Sequence, residues 1–300
     1  MSRPFAAVIG VLALLPCGCG VSASAGLAPG VRVAAAESFW GAIAVQLGGE
    51  RASVRSIIVN PAQDPHSYEP TAADARTLAT AQLAIVNGIG YDPWAPRLLA
   101  ADPGSGRLVL TVGKLLGLEH GDNPHRWYDP ADVEAVAAAI TTDLQRLDPA
   151  HAAYYADRRR QFENQGLAEY HALIAQIRRR FAGVAVGASE SIFALQAPAL
   201  ALDLVTPAGL MKAVSEGTEV TARDTVAAQR QITRHRIKVW VYNSQNSTPE
   251  VQQLNSLARA AGIPVVTITE TLAPAGDSFE QWQVGQLAKL ERALAQATGR

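Results

Sequence analysis

The sequence predicts an α/β fold of two lobes, each a mainly parallel sheet flanked by helices, joined by one long backbone helix, with a metal site in the cleft between the lobes. Three observations carry this expectation. From Val31 onward, short apolar strand-like runs alternate with longer helical patterns, the rhythm of layered α/β folds. A long, strongly charged stretch without an internal proline separates the two halves of that alternation. Two histidines and two acids, His66, His125, Glu190 and Glu270, each stand just after a strand-like run and just before a helix-like one. Imidazole with carboxylate is the donor set of a divalent transition metal, and groups so far apart in sequence share a purpose only where a fold gathers them.

The chain opens on a processing segment, residues 1–19. Arg3 supplies a positive start and Pro16-Cys17-Gly18-Cys19 a small-residue cleavage region. The apolar stretch between them, 5–15, is too short for a permanent membrane helix, which takes roughly 20 apolar residues. Leu15 followed by small residues and Gly18-Cys19 resembles the lipobox of bacterial lipoproteins, in which the cysteine becomes the lipid-modified first residue. Cys19 is favoured over Cys17 because glycine precedes the former and proline the latter; secretion without a lipid is the alternative. Both cysteines lie in this segment, so the exported body has no disulfide and relies on its core. Residues 20–30, rich in Ser, Ala and Gly, read as a flexible tether.

The first lobe is expected over 31–148, with strands at 31–35, 53–59, 83–87 and 108–111 and helices at 39–47, 71–81, 94–101 and 130–147. The linking helix is expected over 149–181. There Tyr154, Tyr155, Phe162, Leu167, Tyr170, Leu173, Ile174 and Ile177 recur among arginines and glutamates, which suits about thirty helical residues and a rod of roughly 45 Å. Two shorter helices broken near Gly166 are the alternative. The second lobe is expected over 182–300, with strands at 183–188, 203–205, 239–242 and 265–268 and helices at 191–196, 222–234, 249–261 and 279–298. A chain of 300 residues, 48% of them apolar, can fill two such cores. A net charge of -1 gives no electrostatic reason to expect nucleic acid or an anionic membrane surface as partner. Asn87-Gly88-Ile89-Gly90 follows a strand but lacks the spacing that cradles a phosphate.

The candidate ligands have ordinary readings too. A loop histidine is usually a solvated surface group, and a glutamate in a helix's first turn usually answers the helix dipole. Context argues for more. Pro65 precedes His66 and Pro70 opens the next helix; Pro124 and Pro130 frame His125 in the same way. Two neutral imidazoles and two carboxylates carry two negative charges, so a divalent cation leaves the filled site neutral, and uptake should release protons and weaken in acid. With monodentate carboxylates the set gives tetrahedral Zn²⁺; with bidentate ones it offers up to six donors, which suits Mn²⁺. A zinc hydrolase is the competing reading, but a fourth protein ligand closes the position that catalytic water needs, and no His-Glu-x-x-His helix supplies a base.

Four motifs, in this order and spacing, resemble the metal-binding solute-binding lipoproteins of bacterial zinc and manganese ABC transporters (periplasmic solute-binding protein family nine, cluster A-I). They are Asp64-Pro65-His66-Ser67-Tyr68-Glu69-Pro70, Val86-Asn87-Gly88-Ile89-Gly90-Tyr91-Asp92-Pro93-Trp94, Asn123-Pro124-His125-Arg126-Trp127-Tyr128-Asp129-Pro130 and Ala188-Ser189-Glu190-Ser191-Ile192-Phe193. The likeness covers nearly all of the mature chain. It implies an exported, non-catalytic receptor, periplasmic or lipid-anchored through Cys19, working as a monomer that captures Zn²⁺ or Mn²⁺ as transported ligand and delivers it to its ABC permease. A binder of an iron chelate or vitamin is the alternative.

The resemblance further implies His66 and His125 as the first lobe's imidazoles and Glu190 as third ligand, a position held by histidine in many zinc-type members and by glutamate in many manganese-type ones. Glu270 takes a place commonly held by aspartate, with Asp277 as rival. Tyr68, Trp127 and Phe193 are expected to wall the site, and Asp129 or Glu69 to orient an imidazole. The stretch before His125 holds a single histidine, His120, where zinc-uptake members often carry a histidine-rich loop; this leans toward Mn²⁺ or a member without that loop. His120, His151, His171 and His235 read as surface or packing residues.

Overall fold

Each half of the chain builds a four-stranded sheet, and the two sheets share one strand order. In the computed structural model, which describes Met1 and residues 30–62, 67–104 and 106–300, the first half runs β1 (Val31–Glu37), α1 (Ser38–Gly48), β2 (Ala52–Ile58), α2 (Ala72–Thr80), β3 (Leu83–Val86), α3 (Trp94–Ala101), β4 (Leu108–Thr111), α4 (Val112–Leu115) and α5 (Pro130–Leu147). Helices α6 (Ala152–Gln161) and α7 (Ala168–Phe181) follow. The second half runs β5 (Ala185–Ala188), α8 (Gln196–Ala199), β6 (Asp203–Leu204), α9 (Ala208–Ser215), α10 (Ala222–Thr233), β7 (Val239–Asn243), α11 (Pro249–Ala260), β8 (Val265–Ile268) and α12 (Phe279–Thr298). His66, the segment 1–19 with Cys19, and the tether up to residue 29 lie outside the described residues, apart from Met1. Among the described residues, no helix is long and apolar enough to cross a membrane.

The strand orders are β2-β1-β3-β4 and β6-β5-β7-β8, parallel throughout. Central strands are apolar on both faces, as parallel sheets covered by helices require: all of Leu83–Val86 is buried. The chain leaves β1 on one side toward β2 and returns on the other as β3, so a crevice opens at the carboxyl ends of β1 and β3, and likewise at β5 and β7. Helix starts follow from local chemistry. Thr71 with Asp74 and Ser278 with Gln281 form capping boxes, and Asp129 accepts the Ala131 N–H ahead of Pro130.

The linking segment is the long helix the sequence predicts, with two local departures from α geometry. A 3₁₀ turn, Pro149–His151, opens it, and a π-turn, Phe162–Gly166, separates α6 from α7. The Leu167 N–H donates to the Phe162 carbonyl at 2.8 Å, five residues back. That wide turn brings Phe162 and Leu167, at a spacing an α-helix would splay apart, to the same buried core. The core itself is shared: Val33, Phe39 and Ile140 of the first half, Tyr155, Tyr170 and Phe181 of the rod, and Val186, Val241 and Phe279 of the second half form one cluster. Separate clusters fill the outer faces, under α2 and α3 on the first sheet and under α9, α10 and α11 on the second. Two short elements escaped the pattern reading, α4 and α9. The helix expected at 191–196 is a 3₁₀ turn, Ser191–Ala194, followed by α8.

Candidate metal centre

His125, Glu190 and Glu270 come together at the carboxyl ends of the sheets, fully buried, with one ligand atom of each lying within 4.8 Å of the others. His125 sits in the loop between α4 and α5. Its Nδ1 lies 2.8 Å from Asn123 Oδ1, and its backbone N–H donates to the same oxygen at 3.1 Å. Asn123 cannot be turned round, because its Nδ2 donates to the Ser191 carbonyl at 2.7 Å. An amide oxygen only accepts, so Nδ1 carries a proton, and Nε2 is the ring nitrogen that faces the acids. Nε2 is 3.7 Å from Glu190 Oε1 and 3.9 Å from Glu270 Oε2.

Glu190 follows β5, and its Oε1 accepts the Ser215 hydroxyl at 3.2 Å. Glu270 follows β8. The Tyr91 hydroxyl donates to its Oε2 at 2.6 Å, reaching across from the first half of the chain, and its backbone N–H donates to Gln245 Oε1 at 2.6 Å. Asn243, the last residue of β7, bridges the two acids. Burial, and next the charge of Glu270, push the Tyr91 hydroxyl well above its ordinary range, so it stays a neutral donor. Two neighbouring buried carboxylates are costly without a cation, and an imidazole with two carboxylates is a donor set suited to a divalent ion. A cleft of about 750 Å³ leads in, lined among others by Tyr91, Asn123, Ser191, Lys212 and Ser215.

The other sequence candidates fall variously. Trp127 is fully buried, its ring centroid 5.3 Å from that of His125 and stacked at 3.7 Å on Phe39. Phe193 is buried in the shared core. Tyr68 packs on Trp94 under the outer face of the first sheet and donates its hydroxyl to Asp74. Asp129 caps α5 and lies near Arg126, and Glu69 is exposed. The imidazole expected of Asp129 or Glu69 is, for His125, oriented by Asn123 instead, since a residue two places back in the same loop reaches Nδ1 while a helix cap is committed to backbone. Asp277 caps nothing at the site; it lies beyond the cis Ala273-Pro274 bond and its N–H donates to Pro274. His151 pairs with Asp148 and His171 with Glu134.

Sequence reasoning did not single out Asn243, Gln245, Ser215 or Asn123, and it gave Tyr91 no role. The available signal was a polar amide ending a wholly apolar strand, as in Val239–Asn243. The first sheet repeats it. Asn87 follows β3 and accepts the Trp40 indole N–H at 3.0 Å, and Glu37 ends β1, fully buried against Asp92. Asp92 accepts the N–H groups of Asn87 and Gly88, each at 2.8 Å. Both Glu37 carboxyl oxygens are buried with no hydrogen-bond partner among the described residues. Burial, then the charge of Asp92, push the Glu37 carboxyl well above the usual range.

Comparison with known proteins adds the following. The family described as zinc-uptake complex component A, periplasmic (ZnuA) matches residues 33–293. The manganese-binding lipoprotein MntA of Halalkalibacterium halodurans is 32% identical over 157 residues, 50% of this chain and 52% of that protein. The zinc-binding lipoprotein AdcA of Streptococcus pneumoniae R6 is 23% identical over 283 residues, 84% of this chain and 53% of that protein. The chain spans about half the length of these relatives. Among solved structures, FpvC from Pseudomonas aeruginosa in complex with Mn²⁺ superposes with a TM-score of 0.70 at 20% identity, covering 89% of this chain and 99% of that one. A periplasmic metal-binding protein from Candidatus Liberibacter asiaticus gives 0.71 at 20% identity, covering 88% and 99%. At such identities the likeness is one of fold.

Proposed function

The chain belongs to the family of the periplasmic component A of the zinc-uptake complex, and on that premise we propose that it is an extracytoplasmic substrate-binding protein that captures Zn²⁺ or Mn²⁺ and hands it to the permease of an ABC transporter. The observation that carries this reading is the meeting of three buried donors, His125, Glu190 and Glu270, drawn from distant parts of the chain. They are the ligands, with His66 of the Asp64-Pro65-His66 motif as the fourth. The lobes are 31–148 and 182–300, bridged by 149–181. The protein is exported, held at the membrane through a lipid on Cys19, and works as a monomer without catalytic activity. Its relatives named for manganese and for zinc support either ion as cargo.

Elemental analysis of protein purified from its own cell envelope should find a transition metal bound, and competition against a chelating dye should show tight binding of added Zn²⁺ or Mn²⁺. His66→Ala should abolish tight binding, and unchanged affinity in that variant would overturn the ligand assignment. A wild-type protein that takes up neither ion would overturn the receptor reading.

A further inference from the structure

The charge of the chain sums to -1 but is unevenly placed. The amino ends of β5, β7 and β8, the edge of the second sheet turned away from the metal centre, carry a band of exposed cations. Arg178 and Arg179 close α7 ahead of β5, Arg236 and Lys238 lead into β7, and Arg259 closes α11 ahead of β8. Arg259 shares an open groove of about 530 Å³ with Lys289 and Arg292 of α12, and no acid among the described residues lines it. The end of α12 lies at the same pole, since Arg180 Nη2 donates to the Arg300 carbonyl at 3.0 Å. Acids are scarce there: Asp203 is exposed at the start of β6, and Glu291 is committed to Arg180 and Gln176. Of the basic residues at this edge, Arg180 alone has an ion-pair partner among the described residues.

Cations in the last turn of a helix ordinarily answer its dipole. That does not account for this set. Arg236 and Lys238 lie outside any helix, and α1, α2 and α3, which run back over the first sheet, end without a basic residue. At the amino edge of the first sheet charges cancel instead: Arg51 follows Glu50, and Arg107 lies 3.6 Å from Asp102. The rod connects the two edges. Its start is fastened beside β2, where the Tyr155 hydroxyl donates to the Arg51 carbonyl at 3.3 Å, and its end delivers Phe181 to β5. The chain enters β1 at Val31, on the neutral edge, so the basic edge is the pole farther from the tether.

Resting on the exported, membrane-held reading above, we propose that the basic edge is a docking surface for anionic phospholipid headgroups: it draws the second lobe to the bilayer while the tether holds the first, and so lays the rod along the membrane. Spread over the ends of three helices and one sheet edge, the cations make a broad field rather than a pocket for a single anion, which matches a charged plane. Residues 20–30, even fully extended, keep the start of β1 within about 40 Å of the anchor. Headgroups are therefore the polyanion that this edge meets at the highest local concentration.

The test mixes the purified exported chain with vesicles of phosphatidylcholine, alone or with phosphatidylglycerol, and reads the protein that sediments with them. A lipid on Cys19 adds equally to both, so the ratio of the two partition coefficients reports the basic edge. At low salt the wild type should favour the anionic vesicles by about 100-fold or more, each cation near the surface contributing about fivefold. The preference should collapse as salt shortens the screening length well below about 10 Å. Arg179→Gln, Arg236→Gln, Arg259→Gln and Arg292→Gln combined should remove most of it. Arg76→Gln, Arg97→Gln, Lys114→Gln and Arg223→Gln combined, which neutralise exposed cations elsewhere, should keep it. Both variants should melt and bind Zn²⁺ like the wild type. Should the first not fold, Arg259→Gln with Arg292→Gln stands in and should lower the ratio by about 25-fold. Equal partition of the wild type to both vesicles, a preference that survives high salt, or equal losses in the two variants overturns the proposal while leaving metal capture untouched. A wild type that favours anionic vesicles but binds neither Zn²⁺ nor Mn²⁺ upholds the docking surface and overturns the receptor reading.

Discussion

At the residue scale, the site depends on amides that carry no charge. Asn123 sets the tautomer of His125, so Asn123→Ala should weaken Zn²⁺ binding by roughly 10–100-fold with the fold kept, and Asn123→Asp, which still offers an acceptor to Nδ1–H, should restore most of it. Equal affinity in wild type and Asn123→Ala by dye competition would show the tautomer to be set elsewhere. Glu37 gives a second prediction. A carboxyl whose folded value is raised contributes fully below its unfolded value, near 4.5, and that contribution drains away as pH climbs toward the folded value. Glu37→Gln needs no proton to face Asp92, so its melting temperature should gain on the wild type as pH rises from about 4.5 to 8; a pH-independent difference would refute this. His125, Glu190 and Glu270 were legible as candidates because ionisable groups beside the carboxyl ends of strands are chemically conspicuous. Asn123 and Asn243 were not, because an amide acts here only through neighbours far off in sequence.

At the element scale, strands and long helices were readable to within a residue or two, since burial on both faces gives β3 an unbroken apolar run and caps announce α2, α5 and α12. Short α9, which begins Pro207-Ala208-Gly209, has too few turns to show a period. The π-turn was beyond pattern reading for another reason: Phe162 and Leu167 are five apart, a spacing that fits either a break near Gly166 or a widened turn, and only the packing chooses. Deleting the exposed Gln165 should remove the extra residue and rotate all of α7 by about 100° against α6. Tyr170, Ile177 and Phe181 would leave the core, and thermal melting should drop sharply or soluble protein be lost. Gln165→Ala, which keeps the count, should melt like the wild type. Equal stability of the deletion and the alanine variant would mean that α7 is not held in register by this turn.

At the scale of the whole molecule, a core that runs unbroken from one sheet through the rod to the other leaves little freedom for the halves to swing. Metal-free and Zn²⁺-loaded protein should therefore give nearly superimposable small-angle scattering profiles, with change confined to the loops bearing Glu190 and Glu270; a hinge rotation of tens of degrees would contradict this. Loading should still raise the melting temperature, because a ligand at about a thousand times its dissociation constant adds roughly 4 kcal/mol to the folded state. The matched strand orders have a consequence of their own. Both crevices present a glutamate and an asparagine, Glu37 with Asn87 and Glu190 with Asn243, yet in the first the neighbouring place is taken by the protein's own Asp92. The crevice between β1 and β3 is thus filled by the protein's own carboxyl groups, whereas the one between β5 and β7 keeps its glutamate beside His125.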